Sequence, residues 1–326
     1  MMLRPDDLCK DTSTLVGTAG SSAACVHILM AVHQGEKYLP QQLASFSTQT
    51  YPNWKLWAGI DAPDTGEDNS REILNSCAKQ PTVFDGPMQG VAANFMSLMA
   101  AAPAGEMWAL ADQDDVWLPH KLARAVEQLN KCRVDIPALY CARTLIADHR
   151  LGAMRLSPLR RRGPSFANAL VQNIASGNTI VLNGAATRLV ASVIADTPTP
   201  VIHDWWLYQL ITGVGGRVIC DEQPVLLYRQ HSKNLLGAND CWRSRLHRLR
   251  LIFGGIWAGW TDRNIDCLRS VSNQMTPQNQ QCLRTFTQAR QSSLLRRMFQ
   301  LRRSGIYRQR AAAGGVMWLA ALLGRI

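Results

Sequence analysis

The sequence of 326 residues predicts an α/β fold, a mostly parallel sheet flanked by helices and followed by a C-terminal helical extension. Short apolar runs of strand length alternate with amphipathic helical patterns four times over about 130 residues. Such alternation is typical of a parallel sheet, because each crossover helix returns the chain to the same sheet edge. From residue 241 onward the pattern changes to Arg-rich amphipathic helices, which form the extension.

The individual elements follow from local apolar periodicity and from the turn residues between them. In the first half, apolar runs predict strands at 26–32, 54–60, 82–84 and 107–111. Apolar residues at helical spacing predict helices near 39–46, 70–79, 91–102 and 120–131. The second half is less regular, with strands expected at 138–141, 144–147, 179–183, 218–220 and 225–228 and helices at 166–174 and 204–211.

Chain length and composition divide the sequence into three regions. Residues 1–25 are rich in Ser, Thr and Gly and lack a continuous apolar core, which predicts a flexible leader and not a secretory signal. Residues 26–240 are expected to form the catalytic α/β domain, and residues 241–326 a basic helical region.

The basic charge is concentrated in the last third of the chain. Residues 229–326 contain 16 Arg and one Lys against three Asp, whereas the whole chain has a net charge of +11. Basic helices that carry Trp and Leu favour an anionic membrane surface as a partner. The alternative is a helical cap that packs on the catalytic domain with its Arg residues in water. Nucleic acid is not expected, because the aromatic residues fall on the apolar sides of these helices.

Cysteine usage and hydropathy indicate the compartment. The nine cysteines are scattered and form no C-x-x-C pair, which is typical of reduced thiols in a cytoplasmic protein and excludes a zinc ribbon. No run of 18 apolar residues occurs, so a membrane-spanning helix is not expected. The predicted location is cytoplasmic, with peripheral association at the inner face of the membrane.

The segment ADQDDVWLP at 111–119 contains three carboxylates directly after an apolar strand. Open α/β sheets bind ligands at the carboxyl ends of their strands. Magnesium is typically held by one or two carboxylates together with substrate phosphates. We therefore expect Asp112 and Asp114 to bind a divalent cation, Mg²⁺ or Mn²⁺, beside a diphosphate. Helix capping would explain one Asp but not three.

Two other strand–helix loops reach the same predicted edge. Asp61 ends the second strand, where its carboxylate could contact a base or a ribose hydroxyl, or act as an ordinary turn residue. His33 and Glu36 lie in the first strand–helix loop and are candidates for the same ligand, although each could instead be a helix-start residue.

Two motifs of the second half carry further candidates. In His203-Asp204-Trp205-Trp206 the carboxylate is set among indoles, and desolvation raises the pKa of a carboxyl group and makes it a better general base. An N-cap role is the alternative for Asp204. In the segment after Tyr228, His231 is a candidate metal ligand and Arg229 a candidate phosphate ligand.

In this order, these motifs resemble the family 2 nucleotide-sugar glycosyltransferases, especially the bacterial branch that includes rhamnosyltransferases. The resemblance covers about residues 26–238 and rests on ILMAVHQGEKYLPQQLASFSTQTYPNW, DNSREIL, GVAANF, ADQDDVWLPHKL, SGNTIVLN, HDWW and YRQHSKNLLGA. It implies a Rossmann-like GT-A fold, a metal-dependent inverting mechanism and a nucleoside-diphosphate sugar as donor.

The resemblance also implies roles for single residues. It places the metal and diphosphate at Asp112, Gln113 and Asp114, and the catalytic base at Asp204. It adds Val32 and Asn94 to the residues expected at the nucleotide. The chain departs from the family at residues 32–34, which are Val-His-Gln where Thr-Tyr-Asn is common, and only Asp61 remains of an Asp pair after the second strand.

The leading function is transfer of a sugar, with rhamnose as one candidate, to a saccharide or lipid-linked acceptor in cell-surface polysaccharide synthesis. A sugar-phosphate nucleotidyltransferase is one alternative, but it requires a Gly-rich basic loop after the first strand, and HQGEKYL has a single Gly. A non-enzymatic basic protein that binds membrane or RNA is the other alternative, which the Arg-rich tail would support.

Overall fold

The computed structural model describes residues 24–61, 68–231 and 254–326. The described strands are β1 Val26–Val32, β2 Trp54–Ile60, β3 Thr82–Asp85, β4 Met107–Asp112, β5 Val116–Trp117, β6 Ala138–Ala147, β7 Met154–Leu156, β8 Val181–Leu182 and β9 Arg217–Arg229. The described α-helices are α1 Leu39–Ser47, α2 Ser70–Asn75, α3 Val91–Ala101, α4 Lys121–Asn130, α5 Phe166–Ala169, α6 Gly184–Val193, α7 His203–Gly213, α8 Ile256–Ser270, α9 Pro277–Arg290, α10 Leu294–Arg303 and α11 Ala311–Leu322.

Most of the expected leader and the basic run at 243–251 lie outside the described residues, as does the loop at 62–67. The domain boundary at 240 falls there too, so it stays a prediction.

The strands form one mixed sheet in the order β3-β2-β1-β4-β8-β6-β9-β5, with β7 paired to β6. The α/β fold is confirmed. Parallel pairing is found among β1 to β4 and between β6 and β9. The short strand β8 runs antiparallel between β4 and β6. The direction of β8 matters for the site. The 3₁₀ turn Gly177–Thr179 precedes β8 in the chain and therefore lies at the carboxyl end of β4.

Two strand pairs predicted from the sequence are single long strands. The runs at 138–141 and 144–147 both belong to β6, and those at 218–220 and 225–228 both belong to β9. The register between β6 and β9 shifts near Arg143, as at a β-bulge. A bulge interrupts the alternation of side chains without ending the strand, so the sequence pattern appears broken where the backbone is continuous.

Apolar cores fill both faces of the sheet. One face packs against α1 and α4 through residues such as Phe46 and Leu122. The other packs against α3, α6 and α7 through residues such as Phe95 and Trp206. Alternate residues of β1 point to opposite faces, Ile28 to the first and Leu29 to the second. This double covering fixes the strands whose ends carry the site.

The C-terminal helices α8 to α11 pack on the domain. Phe286 and Leu301 contribute to a third apolar cluster with Phe166 and Leu170, which belong to α5 and the residue after it. The described part of the tail therefore packs on one side of the domain. This is the helical cap that the sequence offered as the alternative to a membrane-binding tail. Among the described residues, no helix combines the length and the hydropathy needed to span a bilayer.

Candidate active site

The candidate site lies where β1, β2 and β4 end. These strands are parallel and in register, so that Val32 pairs with Ile60 and Ala31 pairs with Asp112. The loops that start at His33 and Asp61 and the acidic segment after β4 therefore meet at one edge, as the sequence predicted.

Asp114 and His231 are in direct contact at this edge. The Nε2 atom of His231 lies 2.6 Å from the Oδ2 atom of Asp114, and its ring stacks on Tyr38 with centroids 5.2 Å apart. The two residues are 117 positions apart in the sequence. Strand β9 joins them, because it runs parallel to β6 and ends beside the acidic segment.

Asp112 experiences strong negative potential. Burial, followed by the charges of Asp114 and Asp204, raises the pKa of Asp112 to about 7. A divalent cation would offset this repulsion and restore the ionised form. The chemistry of the donor set, two carboxylates and one imidazole, fits Mg²⁺ or Mn²⁺. Asp112, Asp114 and His231 are thus the residues that would hold the cation.

The three candidate ligands are not gathered around a single point. Among the described residues, the one group of three potential ligand atoms that all lie within 4.8 Å of one another is Cys25, His27 and Glu106. The ligand atoms of Asp112, Asp114 and His231 do not all lie within 4.8 Å of one another, although those of Asp114 and His231 are 2.6 Å apart. Asp112 would therefore reach a cation at Asp114 and His231 through a side-chain movement or a water molecule.

The group of Cys25, His27 and Glu106 lies at the opposite edge of the sheet and does not suit a metal. The indole Nε1 of Trp57 donates to His27 Nδ1 at 2.8 Å, so the neutral ring carries its proton on Nε2. That Nε2 atom lies 2.8 Å from a carboxylate oxygen of Glu106 and donates to it. The ring therefore has no free lone pair for a cation, and the cluster ties β1 to the start of β4.

The third acid of the segment has a structural role. Asp115 is fully buried, accepts a hydrogen bond from Asn178 Nδ2 at 2.6 Å and another from the backbone N–H of Arg229 at 3.2 Å. Burial and the neighbouring acids raise its pKa. Asp115 therefore joins the acidic segment to both β9 and the turn at Gly177–Thr179.

Lys121 is a site residue that the sequence reasoning missed. It is fully buried, its Nζ donates to Asn178 O at 2.5 Å, and it lies 3.1 Å from the centroid of the Trp117 ring. Burial lowers its pKa, while Asp115 and Asp112 act in the opposite direction. A helical pattern predicts an exposed position for a Lys in the first turn, and the burial becomes visible only once α4 is packed beneath the acids.

Asp204 faces the same acids from α7. Its carboxylate accepts from Asn173 Nδ2 at 2.9 Å and from the backbone N–H of Gly177 at 2.7 Å. Burial raises the pKa of Asp204 to about 7, against the lowering effect of these hydrogen bonds. Its charge also acts on Asp112. The candidate base and the candidate metal ligands therefore belong to one site.

Gly177 is the close neighbour of this carboxylate. A Cβ atom there would lie 3.1 Å from His203 Nε2 and 3.2 Å from Asp204 Oδ2. His203 cannot easily move, because it is buried and stacks on Phe95 with centroids 3.9 Å apart.

Replacing Gly177 with alanine should therefore shift Asp204 by a few tenths of an ångström and lower the transfer rate about tenfold, since positioning errors of this kind are costly to catalysis. Steady-state kinetics and thermal melting are the measurements. Gly259→Ala is the control, because open space surrounds Gly259. Unchanged kinetics in Gly177→Ala would show that the contact does not position the carboxylate.

The loop after β1 is joined to the acidic segment by a side-chain amide. Gln113 accepts from the backbone N–H of His33 and donates to its carbonyl, each at 2.8 Å. The His33 ring also contacts the carbonyl of Asp61. Glu36 is exposed and accepts from Asn69 Nδ2 at 3.0 Å. His33, Glu36, Asp61 and Gln113 are thus brought together at the edge.

Three candidates have contacts that hold the fold. Val32 is buried in the core, and Asn94 is 1% exposed and donates to Gly59 O at 2.9 Å. The guanidinium of Arg229 donates from Nε to Asp114 O and from Nη1 to His149 O, both at 2.8 Å. The nucleotide roles of Val32 and Asn94 and the phosphate role of Arg229 stay predictions. Among the three, Arg229 contacts the acidic segment directly.

Comparisons with known proteins agree with this architecture. Residues 27–176 match the model of glycosyl transferase family 2. A dTDP-rhamnosyl transferase of Shigella flexneri, RfbG, is 24% identical over 238 residues, which are 68% of this chain and 78% of that protein. An uncharacterized glycosyltransferase of Nostoc is 31% identical over 31% of this chain and 32% of its own.

A solved structure shares the fold. The crystal structure of S. aureus TarS 1-349 in complex with UDP-GlcNAc is 12% identical and has a TM-score of 0.50, over 87% of this chain and 93% of that one.

Proposed function

We propose that this chain, whose residues 27–176 match the model of glycosyl transferase family 2, moves a sugar from a nucleotide-sugar donor as an inverting enzyme that depends on a divalent cation. The observation that carries this proposal is that Asp204 accepts from Gly177, in the turn whose Asn178 binds Asp115, and lies within electrostatic reach of Asp112. The family match favours glycosyl transfer over the alternative function of a sugar-phosphate nucleotidyltransferase.

The bound cation would stabilise the negative charge that develops on the leaving diphosphate. Asp112, Asp114 and His231 are the residues proposed to hold it. Arg229 keeps this set together, since its guanidinium fixes the backbone at Asp114 and its backbone N–H fixes Asp115. Gln113 connects the set to the loop at His33, which we assign with Glu36 and Asp61 to the nucleoside.

Asp204 is proposed to act as the general base. The acceptor hydroxyl loses its proton to this carboxylate while its oxygen forms a bond to the anomeric carbon and the bond to the diphosphate breaks. Attack from the side opposite the leaving group inverts the anomeric centre. Asn173 and Gly177 hold the carboxylate through both oxygens, so that its orientation is set before substrates bind.

The proposed donor is a nucleoside-diphosphate sugar, with dTDP-rhamnose as the first candidate because the Shigella relative is a dTDP-rhamnosyl transferase. The proposed acceptor is a saccharide or a lipid-linked saccharide of a growing cell-surface polysaccharide. We also propose a cytoplasmic enzyme that associates with an anionic membrane surface, supported by the positive charge of residues 229–326.

A donor panel tests the proposal. Hydrolysis of dTDP-rhamnose, UDP-GlcNAc, UDP-glucose and GDP-mannose would be measured with Mn²⁺, with Mg²⁺ and with EDTA. We expect one sugar nucleotide to be hydrolysed at least tenfold faster than the others, and only with a cation. Equal hydrolysis in EDTA would contradict the metal, and preference for a donor other than dTDP-rhamnose would contradict the proposed sugar.

A further inference from the structure

The outward side of α10 combines exposed apolar and basic side chains. Leu295 is 85% exposed and Phe299 is 67% exposed. They are four residues apart, and the exposed Arg302 and Arg303 follow at the next turn of the same side. The opposite side of the helix is packed, because Leu301 is fully buried in the third apolar cluster. The exposed residues therefore form a separate, outward face of α10, although the helix is well packed on its inner face.

This face continues onto a basic loop of the catalytic domain. The backbone N–H of Arg162 donates to Gln309 Oε1, and Gln309 Nε2 donates back to the carbonyl of Arg162, both at 2.9 Å. The guanidinium of Arg162 lies 3.8 Å from the centroid of the Tyr307 ring. The loop thus contacts the segment that follows α10. We group the exposed residues of α10, of this segment and of the loop as the basic strip, which consists of Leu295, Phe299, Arg302, Arg303, Arg310, Arg161 and Arg162.

The basic strip is free of acidic neighbours in sequence on both of its segments. Residues 149–195 and 267–326 contain no Asp and no Glu. A helical cap whose charged side served only for solubility would carry both signs, with acids at i, i+4 positions from the arginines. The single sign of charge beside exposed Leu and Phe side chains points to a partner that offers phosphates and hydrocarbon together.

The strip lies on the base side of the site. Tyr307 accepts from Ser165 Oγ and, through its carbonyl, from Asn168 Nδ2, at 3.0 and 2.8 Å. The same short segment leads to Asn173, which holds the carboxylate of Asp204. Gln309, which contacts Arg162, also donates its backbone N–H to Gln172 Oε1 at 2.8 Å, so the strip adjoins the segment that holds the proposed base.

We propose that the basic strip docks the enzyme on an anionic lipid bilayer, with Leu295 and Phe299 inserted at the level of the headgroups and the arginines on lipid phosphates. Binding to the bilayer does not require sugar transfer. The inference rests on the proposed function only where it concerns access to a lipid-linked acceptor. It names the partner as the bilayer surface and assigns it to a defined side of the protein.

Flotation with vesicles tests this proposal with the full-length protein. Vesicles of phosphatidylcholine alone would be compared with vesicles that contain 40% phosphatidylglycerol, at about 0.1 M salt, where charge interactions extend roughly 10 Å. We expect binding only to the anionic vesicles and release at high salt. In the variant Phe299→Ser/Arg302→Gln/Arg303→Gln, affinity should fall at least 25-fold, because each engaged arginine contributes about fivefold.

A matched control removes one exposed apolar side chain and two exposed arginines at the other edge of the sheet. Val134 is 84% exposed in the loop before β6, and Arg188 and Arg217 are exposed. The variant Val134→Ser/Arg188→Gln/Arg217→Gln should lose at most a few-fold in affinity, from its lower net charge. Equal losses in both variants would reduce the effect to net charge and overturn the strip, and wild-type binding by the strip variant would also overturn it.

Donor hydrolysis without vesicles separates this inference from the proposed function. We expect the strip variant to hydrolyse the preferred sugar nucleotide at the wild-type rate. If the wild-type enzyme hydrolyses the donor and binds neither kind of vesicle, the docking proposal is wrong and the proposed function stands. If it floats with anionic vesicles and hydrolyses no sugar nucleotide, the opposite holds.

Discussion

Replacement of Asp204 by asparagine should slow glycosyl transfer by about 10²–10⁴-fold, the usual contribution of a general base. The substitution keeps the size of the side chain and can still accept a hydrogen bond from Gly177, whose N–H lies 2.7 Å away. It removes the basicity. Donor affinity should stay near the wild-type value, because the nucleoside is assigned to the loops after β1 and β2. Calorimetry with the donor and a transfer assay with a matched acceptor measure the two quantities.

The pH profile gives this prediction a signature that a structural role lacks. Burial raises the pKa of Asp204 to about 7, and only the deprotonated carboxylate accepts a proton. The rate at low acceptor concentration should therefore fall about tenfold for each pH unit below 7 and level off above it. At saturating Mn²⁺ a bound cation would lower the pKa of Asp112, so the decline measured under that condition is assigned to Asp204. The residual rate of Asp204→Asn should lack the decline.

Either of two results would remove Asp204 from its assigned role. A wild-type transfer rate in Asp204→Asn would leave it as a residue that only braces the start of α7. A loss of donor affinity in parallel with the rate would place it in the donor site. Asn173→Ala is an informative companion, since it frees one carboxylate oxygen and leaves the charge in place.

Asp114→Ala should lower turnover by about 10³-fold or more, because it removes a ligand of the cation that stabilises the leaving diphosphate. The fold should persist, since the side chain of Asp114 is partly exposed and contacts His231. Steady-state kinetics across Mn²⁺ concentrations should show a weaker apparent affinity for the metal. Melting temperature checks the fold.

The exposed acid Asp196 provides the control, as Asp196→Ala removes the same charge from a turn outside the candidate site. Its kinetics should match the wild type. If Asp114→Ala remains fully active, or if the wild-type enzyme turns over in EDTA at its normal rate, Asp112 and Asp114 do not hold a catalytic cation.

The sequence predicted the parts of the site that depend on strand ends. Apolar runs located β1, β2 and β4 to within a residue, and parallel pairing then placed the residues that follow them at one edge. It also singled out His231 and Asp204, which the structure brings to the same edge. The placement of the ends of β1, β2 and β4 has one cause, because chain direction in a crossover topology is determined by local patterns.

The residues that were missed or read differently depend on packing between distant segments. Lys121 looks like a solvent-exposed helix residue until Asn178 and the acids surround it. Arg229 was predicted as a phosphate ligand, and the structure adds contacts from its guanidinium to backbone carbonyls that the sequence did not reveal. Side-chain type and spacing do not reveal which partner a long basic side chain will find. That partner is set by how β8 and β9 pair with β6, and the register between β6 and β9 is irregular.

The position of β5 has a consequence for the shape of the whole sheet. Asp112 ends β4, Val116 begins β5, and yet three strands lie between β4 and β5 in the sheet order. Four residue steps of extended chain cover at most about 14 Å, whereas four strand spacings in a flat sheet come to about 19 Å. The sheet must therefore curl towards a barrel, and the acidic segment connects β4 to β5 directly across the open end of this barrel. Gln113, Asp114 and Asp115, which join β4 to β5, thus limit how far the sheet can flatten. An insertion of two glycines between Asp114 and Asp115 would therefore relax the curvature of the fold as well as the site.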